Sequence, residues 1–239
     1  ASIKHHGEAY GFWALAIGDY YRHNILQRQD HPRMPDLYRI EDPLHYKDRL
    51  TLPKYVVNAA GDQFFLPDSS QFYYDELKGE KLLRYVANGD HSLKDTDALQ
   101  SITAFYWMII HGKPLPKYSW TFEADGSIKV KYQTPPSKVE LWQATNPDAR
   151  DFRVDRIGKT FASTELKQEA DGSYVAKINQ PEKGWSAFFV ELTYDVGAPF
   201  PLKVTTAVRV LPDVLPFKDK DTKTIQYEAE LYPERVKKR

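Results

Sequence analysis

Lys54-Tyr55-Val56-Val57-Asn58-Ala59-Ala60-Gly61-Asp62 decides how this chain is read. The run is short, mostly apolar and rich in β-formers, and it stops at Gly-Asp, which suits a strand buried on both faces of a parallel sheet. Just downstream, Asp68-Ser69-Ser70-Gln71 has the form of a capping box and predicts a helix to about Lys78, closed by Gly79. Leu82-Leu83-Arg84-Tyr85-Val86 predicts the next strand. After a turn at Asn88-Gly89, Ser92-Leu93-Lys94-Asp95 caps a second helix. Its core face is read as Leu99, Ile102, Phe105 or Tyr106, and Ile109, with Gly112 and Pro114 as the stop. Strand, helix, strand, helix at this spacing predicts parallel crossover units.

Upstream, Phe12, Leu15, Ala16, Tyr20 and His23 recur at helical spacing and predict a helix over 8 to 28, which Gly11 and Gly18 weaken. Pro32, Pro35, Pro43 and Pro53 mark the stretch from His31 to Pro53 as a loop with one helical turn near His45. From about Tyr118 the texture changes to short alternating strands. Trp120-Thr121-Phe122 and Ile128 to Tyr132 flank the hairpin turn Ala124-Asp125-Gly126-Ser127. Val139 to Trp142, Tyr174 to Ile178, Ala187 to Leu192 and Val204 to Val210 continue the pattern, which predicts an immunoglobulin-like β-sandwich. The chain therefore divides into an α/β portion over 1–115, a β-sandwich domain over 116–215 and a charged tail or edge element over 216–239.

The 239 residues are 41% hydrophobic and 28% charged, a globular composition with room for a sizeable core. The 33 basic and 33 acidic side chains cancel, which argues against nucleic acid or an anionic membrane as the main partner. Without cysteine there are no disulfides, thiol nucleophiles or Cys-type metal sites. No apolar run is long enough to predict a membrane span.

Two residues carry the chemistry. Asp62 follows the first strand directly and His91 follows the second, so both project from the sheet edge where catalytic groups collect in open parallel sheets. Taken singly, a loop Asp is a turn or cap residue and a lone His is structural. As a pair they fit hydrolysis: the carboxylate orients the imidazole, which takes a proton from a serine hydroxyl and returns it to the leaving group. Asp before His also fits the α/β-hydrolase order of Ser, Asp, His. Asp68 and Asp90 are rival acids; Asp68 reads as a helix cap, and Asp90 is adjacent to His91. His5-His6 point apart and lack a third ligand, so no metal and no cofactor is expected. Phe12, Trp13, Tyr20 and Tyr21 read as core, with some of them lining a cleft. Trp120, Trp142 and Trp185 read as sandwich core, with a sugar-stacking platform as the alternative.

Gly61-Asp62-Gln63-Phe64-Phe65-Leu66-Pro67-Asp68-Ser69-Ser70 and Leu83-Arg84-Tyr85-Val86-Ala87-Asn88-Gly89-Asp90-His91-Ser92-Leu93 resemble the PhoPQ-activated pathogenicity-related protein family, which is similar to the autocrine proliferation repressor proteins. Glu8 to Trp13, Asp42-Pro43-Leu44 and Leu141 to Arg153 extend the likeness. The resemblance implies the C-terminal portion of an α/β-hydrolase parallel sheet, Asp62 as triad acid, His91 as triad base, and export to the periplasm or extracellular space. It also implies a serine on an upstream Gly-x-Ser-x-Gly elbow, and this chain has none. The expectation is that the chain starts just after that elbow. The missing N-terminal half, in the same polypeptide or a separate chain, then carries the nucleophile, and this chain alone is inactive. The substrate is a carboxylic ester or a peptide bond. The alternative is a non-catalytic secreted, signalling, carbohydrate-binding or protein-binding molecule on a hydrolase scaffold.

Overall fold

In the computed structural model, which describes residues 2–238, strands β1 (Lys54–Ala59) and β2 (Lys81–Val86) pair in parallel, with Lys54 opposite Lys81 and Ala59 opposite Val86. The helices, in chain order, are α1 (Ser2–Tyr10), α2 (Gly18–Arg22), α3 (Met34–Glu41), α4 (Ala98–Ile110), α5 (Val154–Ile157) and α6 (Glu228–Leu231). The remaining strands are β3 (Tyr118–Phe122), β4 (Ile128–Tyr132), β5 (Lys138–Asn146), β6 (Ala162–Glu165), β7 (Tyr174–Ala176), β8 (Trp185–Tyr194), β9 (Leu202–Thr205) and β10 (Arg209–Leu211). These eight form two antiparallel sheets, one in the order β3-β4-β7 and one in the order β10-β8-β5-β6 with β9 also on β8.

This corrects the expected fold class. Among the described residues the parallel sheet of an α/β-hydrolase is not present, and the fold is sheet-rich and mainly antiparallel. Two physical causes account for the difference. The connection expected to cross over as a helix from Asp68 to Lys78 holds only the 3-10 turns Ser69–Phe72 and Tyr74–Glu76. Most strands lie after residue 117, and tight turns such as Ala124 to Ser127 can join only antiparallel neighbours.

The five-stranded sheet is buried on both faces. Phe188, Val190 and Leu192 of β8 pack with Ile128, Val130 and Ala176 of the three-stranded sheet, along with Leu82 and Met108. Phe189 and Ala187, one residue out of phase, face Leu83, Tyr85, Phe152 and Phe161 on the other side. Alternation along one strand therefore supplies two cores. Tyr118 ties the layers, donating its hydroxyl to the Thr205 carbonyl at 2.8 Å.

In α4 the buried residues are Ala98, Ser101, Ala104 and Met108, while Leu99, Ile102, Tyr106 and Ile109 face solvent. The expected core face is thus reversed except at Phe105, which packs on the core and stacks on Tyr55. The helix packs against β1 and β9, and Arg84 of β2 donates through Nη1 to Ser101 Oγ at 3.0 Å. So close an approach admits small side chains. No helix among the described residues is long and apolar enough to cross a membrane.

The single helix expected over 8 to 28 is broken. Gly11 takes φ +70°, with the Phe217 ring 2.8 Å from where a Cβ would sit. Beyond it, Trp13 N donates to the Gln226 carbonyl and Glu228 N to the Trp13 carbonyl, both at 2.8 Å. The backbone has exchanged intrahelical hydrogen bonds for bonds to a distant segment. Ile225 and Glu228 are buried there, so the stretch read as a charged tail is anchored on the N-terminal turn.

Candidate active site around Asp62 and His91

Asp62 ends β1 through Gly61, and the need for glycine there is steric. A Cβ on Gly61 would lie 2.9 Å from the Gly89 carbonyl and 3.0 Å from Val154 Cβ. The close approach lets Gly61 N donate to Gly89 O at 3.1 Å, which ties the loop after β1 to the loop after β2. The Asp62 carboxylate is buried and folds its own turn, with Oδ1 accepting from Phe64 N at 2.6 Å and Phe65 N at 3.2 Å.

His91 arrives beside it on a heavily fixed loop. Its backbone N donates to Gln63 Oε1 at 3.0 Å. Asn88 exchanges two 2.9 Å hydrogen bonds with the Phe161 backbone. Asn88, Leu93 and Asp95 all adopt positive φ, at 57°, 55° and 57°, and such strain persists only where the surroundings enforce it. His91 Nδ1 lies 3.0 and 3.1 Å from the two Asp62 oxygens. A carboxylate only accepts, so Nδ1 carries the proton and Nε2 is left as the basic nitrogen. The imidazole is 54% exposed, and among the described residues nothing hydrogen-bonds Nε2. The rings of Phe64 and Phe65 flank it at 5.4 and 5.9 Å between centroids.

The structure thus brings Asp62 and His91 together, and it removes the rival acids. Asp90 accepts from Ser92 N and Oγ within its own turn. Asp68 makes no cap hydrogen bond. It is buried between His5 Nε2 at 2.9 Å and Arg150 Nη2 at 2.6 Å. Burial pushes its pKa up, but the His5 hydrogen bond and the Arg150 charge outweigh burial and hold it at about 2. His6, one residue from His5, accepts from Ala14 N through Nε2 at 3.2 Å; burial, aided by Arg153, lowers its pKa to about 3. The adjacent histidines therefore have separate structural tasks, and among the described residues no three His, Asp or Glu side chains converge as a metal site.

A second buried cluster lies behind the site. Arg153 donates to Asp151 through Nε and Nη2 at 2.9 and 2.6 Å, and to Glu228 through Nη1 at 2.8 Å. Arg156 and Arg235 also reach Glu228, at 2.8 and 2.9 Å. Burial pushes Glu228 up, but the Arg153 hydrogen bond and charge hold it at about 2. The sequence reading missed Gln63 and the Arg153–Glu228 pair. For Glu228 no local signal existed, because its partner is 75 residues away. The five tryptophans are all buried or partly buried. Trp120, Trp142 and Trp185 are partly buried and pack on the cores.

Comparison with known proteins bears on the chain's family. The chain is 33% identical over 243 residues to autocrine proliferation repressor protein A of Dictyostelium discoideum, covering 90% of this chain and 49% of that protein. It therefore spans about half the length of that relative. No solved structure matches. The family model described as PhoPQ-activated pathogenicity-related protein matches residues 1–153, a stretch that holds Asp62, His91 and Arg153. On that family model, which matches well over half of its length, the chain belongs to the PhoPQ-activated pathogenicity-related protein family.

Proposed function

We propose that Asp62 and His91 are the acid and base of a serine-type hydrolase that cleaves a carboxylic ester or peptide bond through an acyl-enzyme. The observation that carries this reading is the Asp62 carboxylate on Nδ1 with Nε2 left open on the exposed side of the ring. In that arrangement the carboxylate fixes the tautomer and stabilises the imidazolium, while Nε2 accepts a hydroxyl proton and later returns it to the leaving group. Among the described side chains, no serine hydrogen-bonds His91. Ser92 Oγ is committed to Asp90, and Ser69 and Ser70 are buried. The nucleophile is proposed to come from the part of the family's length that this chain does not span. The proposal extends to export from the cytoplasm.

The test is labelling of the family-length protein with a fluorophosphonate serine probe. Labelling is expected, with His91→Ala and Asp62→Asn lowering its rate by about 10³-fold or more. A family-length protein that never labels would overturn the proposal. A second reading, a non-catalytic signalling protein, draws support from the relative's name as a proliferation repressor and from the unpartnered Nε2. It expects Asp62→Asn to leave the organism's response to the protein intact.

A further inference from the structure

Phe64 has two neighbours of different kinds. One is the His91 imidazole, over which it stacks at 27° between planes. The other is a cavity of about 300 Å³, where Phe64 forms the wall together with Ile17, Tyr20, Leu26 and Leu66. Phe65 is the partition between that cavity and a second of about 400 Å³, lined by Leu44, Leu50, Phe72, Tyr73 and Leu77. Asp42 and Pro43 border both. Volumes of this size suit organic ligands, and the walls are chiefly apolar.

Charge narrows the choice. No Lys or Arg lines either cavity, whereas Glu41 lines the first and Asp42 lines both. His6, the one basic side chain there, is held neutral by burial. An anionic group would be repelled and left without a partner.

We infer that this two-chambered groove seats a bulky, uncharged apolar group of the substrate, so the ester or amide taken at His91 carries an aliphatic chain or aromatic ring near the scissile carbonyl rather than an acetyl group alone. The inference rests on the reading of Asp62 and His91 as a catalytic pair, and the groove adds the substrate class to it. Phe64 links the two, since one ring touches both the imidazole and the cavity.

The experiment is displacement of the fluorescent dye N-phenyl-1-naphthylamine from the protein by octanamide, acetamide and octanoate. Octanamide is expected to compete at least tenfold better than acetamide, and better than the anionic octanoate. Tyr20→Ala and Phe65→Ala, both at exposed rings, are each expected to weaken octanamide by about tenfold. Leu99→Ser on the exposed face of α4 should change it less than twofold. Octanamide no better than acetamide, or a loss caused by Leu99→Ser and not by the groove variants, would overturn the inference. Hydrolysis is not the readout, so the two readings separate. Fluorophosphonate labelling without octanamide binding sinks the groove alone. Binding without labelling sinks the catalytic pair and the substrate assignment with it.

Discussion

Around β8 the interior is built of hydrocarbon, with Phe188, Phe189, Val190 and Leu192 fully buried between two antiparallel sheets and the β1–β2 layer. Around α1 buried charge stands beside small apolar clusters such as Trp13, Ile17, Leu26 and Ile225. Arg153, Glu228, Asp68 and Arg150 are all buried and, with His5 on Asp68, hold together α1, the Asp62 loop and the C-terminal segment. Apolar burial is non-directional and insensitive to pH. Buried ion pairs hold only while each partner keeps its charge, because removing one strands the other in a medium that cannot solvate it. The region carrying Asp62 is thus positioned by several directional contacts of limited pH range, on a mainly apolar scaffold that carries the buried Arg84–Glu191 pair at 3.5 Å.

The comparison breaks if the two regions respond alike. At neutral pH, Glu228→Ala strands Arg153 and Phe189→Ala opens a cavity; each is expected to cost about 3–5 kcal/mol in denaturant unfolding. Lowering the pH should then erase the Glu228 difference and leave the Phe189 difference unchanged.

Acid alone gives the next largest effect. Asp68 and Glu228 have pKa values depressed to about 2, so their contribution is present above the unfolded carboxylate range and is lost as pH falls from about 4 towards 2. His6 is depressed to about 3 because the fold favours its neutral form; its contribution is full above about 6.5 and declines below that. Hydrogen exchange should therefore show the amides of Ala14, Phe64 and Phe65 losing protection below pH 6.5 while those of Phe188 to Leu192 stay protected. His6→Gln should remove the part of this loss above pH 4.5. Equal loss in both regions would show that the charged clusters are not what holds the first.

Two smaller effects sharpen the boundary. Asp97, a third exposed, pairs with Arg84 at 2.5 Å and Lys203 at 2.8 Å. Asp97→Ala is expected to cost ~1 kcal/mol, reduced by solvent screening. Lys177→Ala removes a fully exposed pair with Asp125 and should leave the unfolding midpoint where it was.

What could be read from the sequence divides along the same line. β1, β2, the β3–β4 hairpin and β8 were legible because alternation and turn residues are local signals. Asp62 and His91 were legible because both sit at strand ends. The long run read as one strand over Val204 to Val210 is two, β9 and β10, separated at Thr206 to Val208. β6 was missed, since Ala162 to Glu165 is exposed throughout and has no apolar period. The face of α4 was misjudged because its residues are apolar nearly all round, and size favoured Leu99 over Ala98 as the core residue. Trp13's pairing with the C-terminal segment, like the place of Glu228, depended on residues more than two hundred positions away.

That last contact has a consequence for the order in which the molecule is made. Residues 54 to 211 contain every strand, and all of them leave the ribosome before Glu228 does. The antiparallel sheets can settle while synthesis continues. Arg153, Arg156 and the turn at Trp13 must wait for a carboxylate and a carbonyl that arrive later. A chain interrupted before residue 226 would carry a finished β-core beside an unfinished site. Its exposed cluster of arginines would make such a product readily distinguishable from the complete chain.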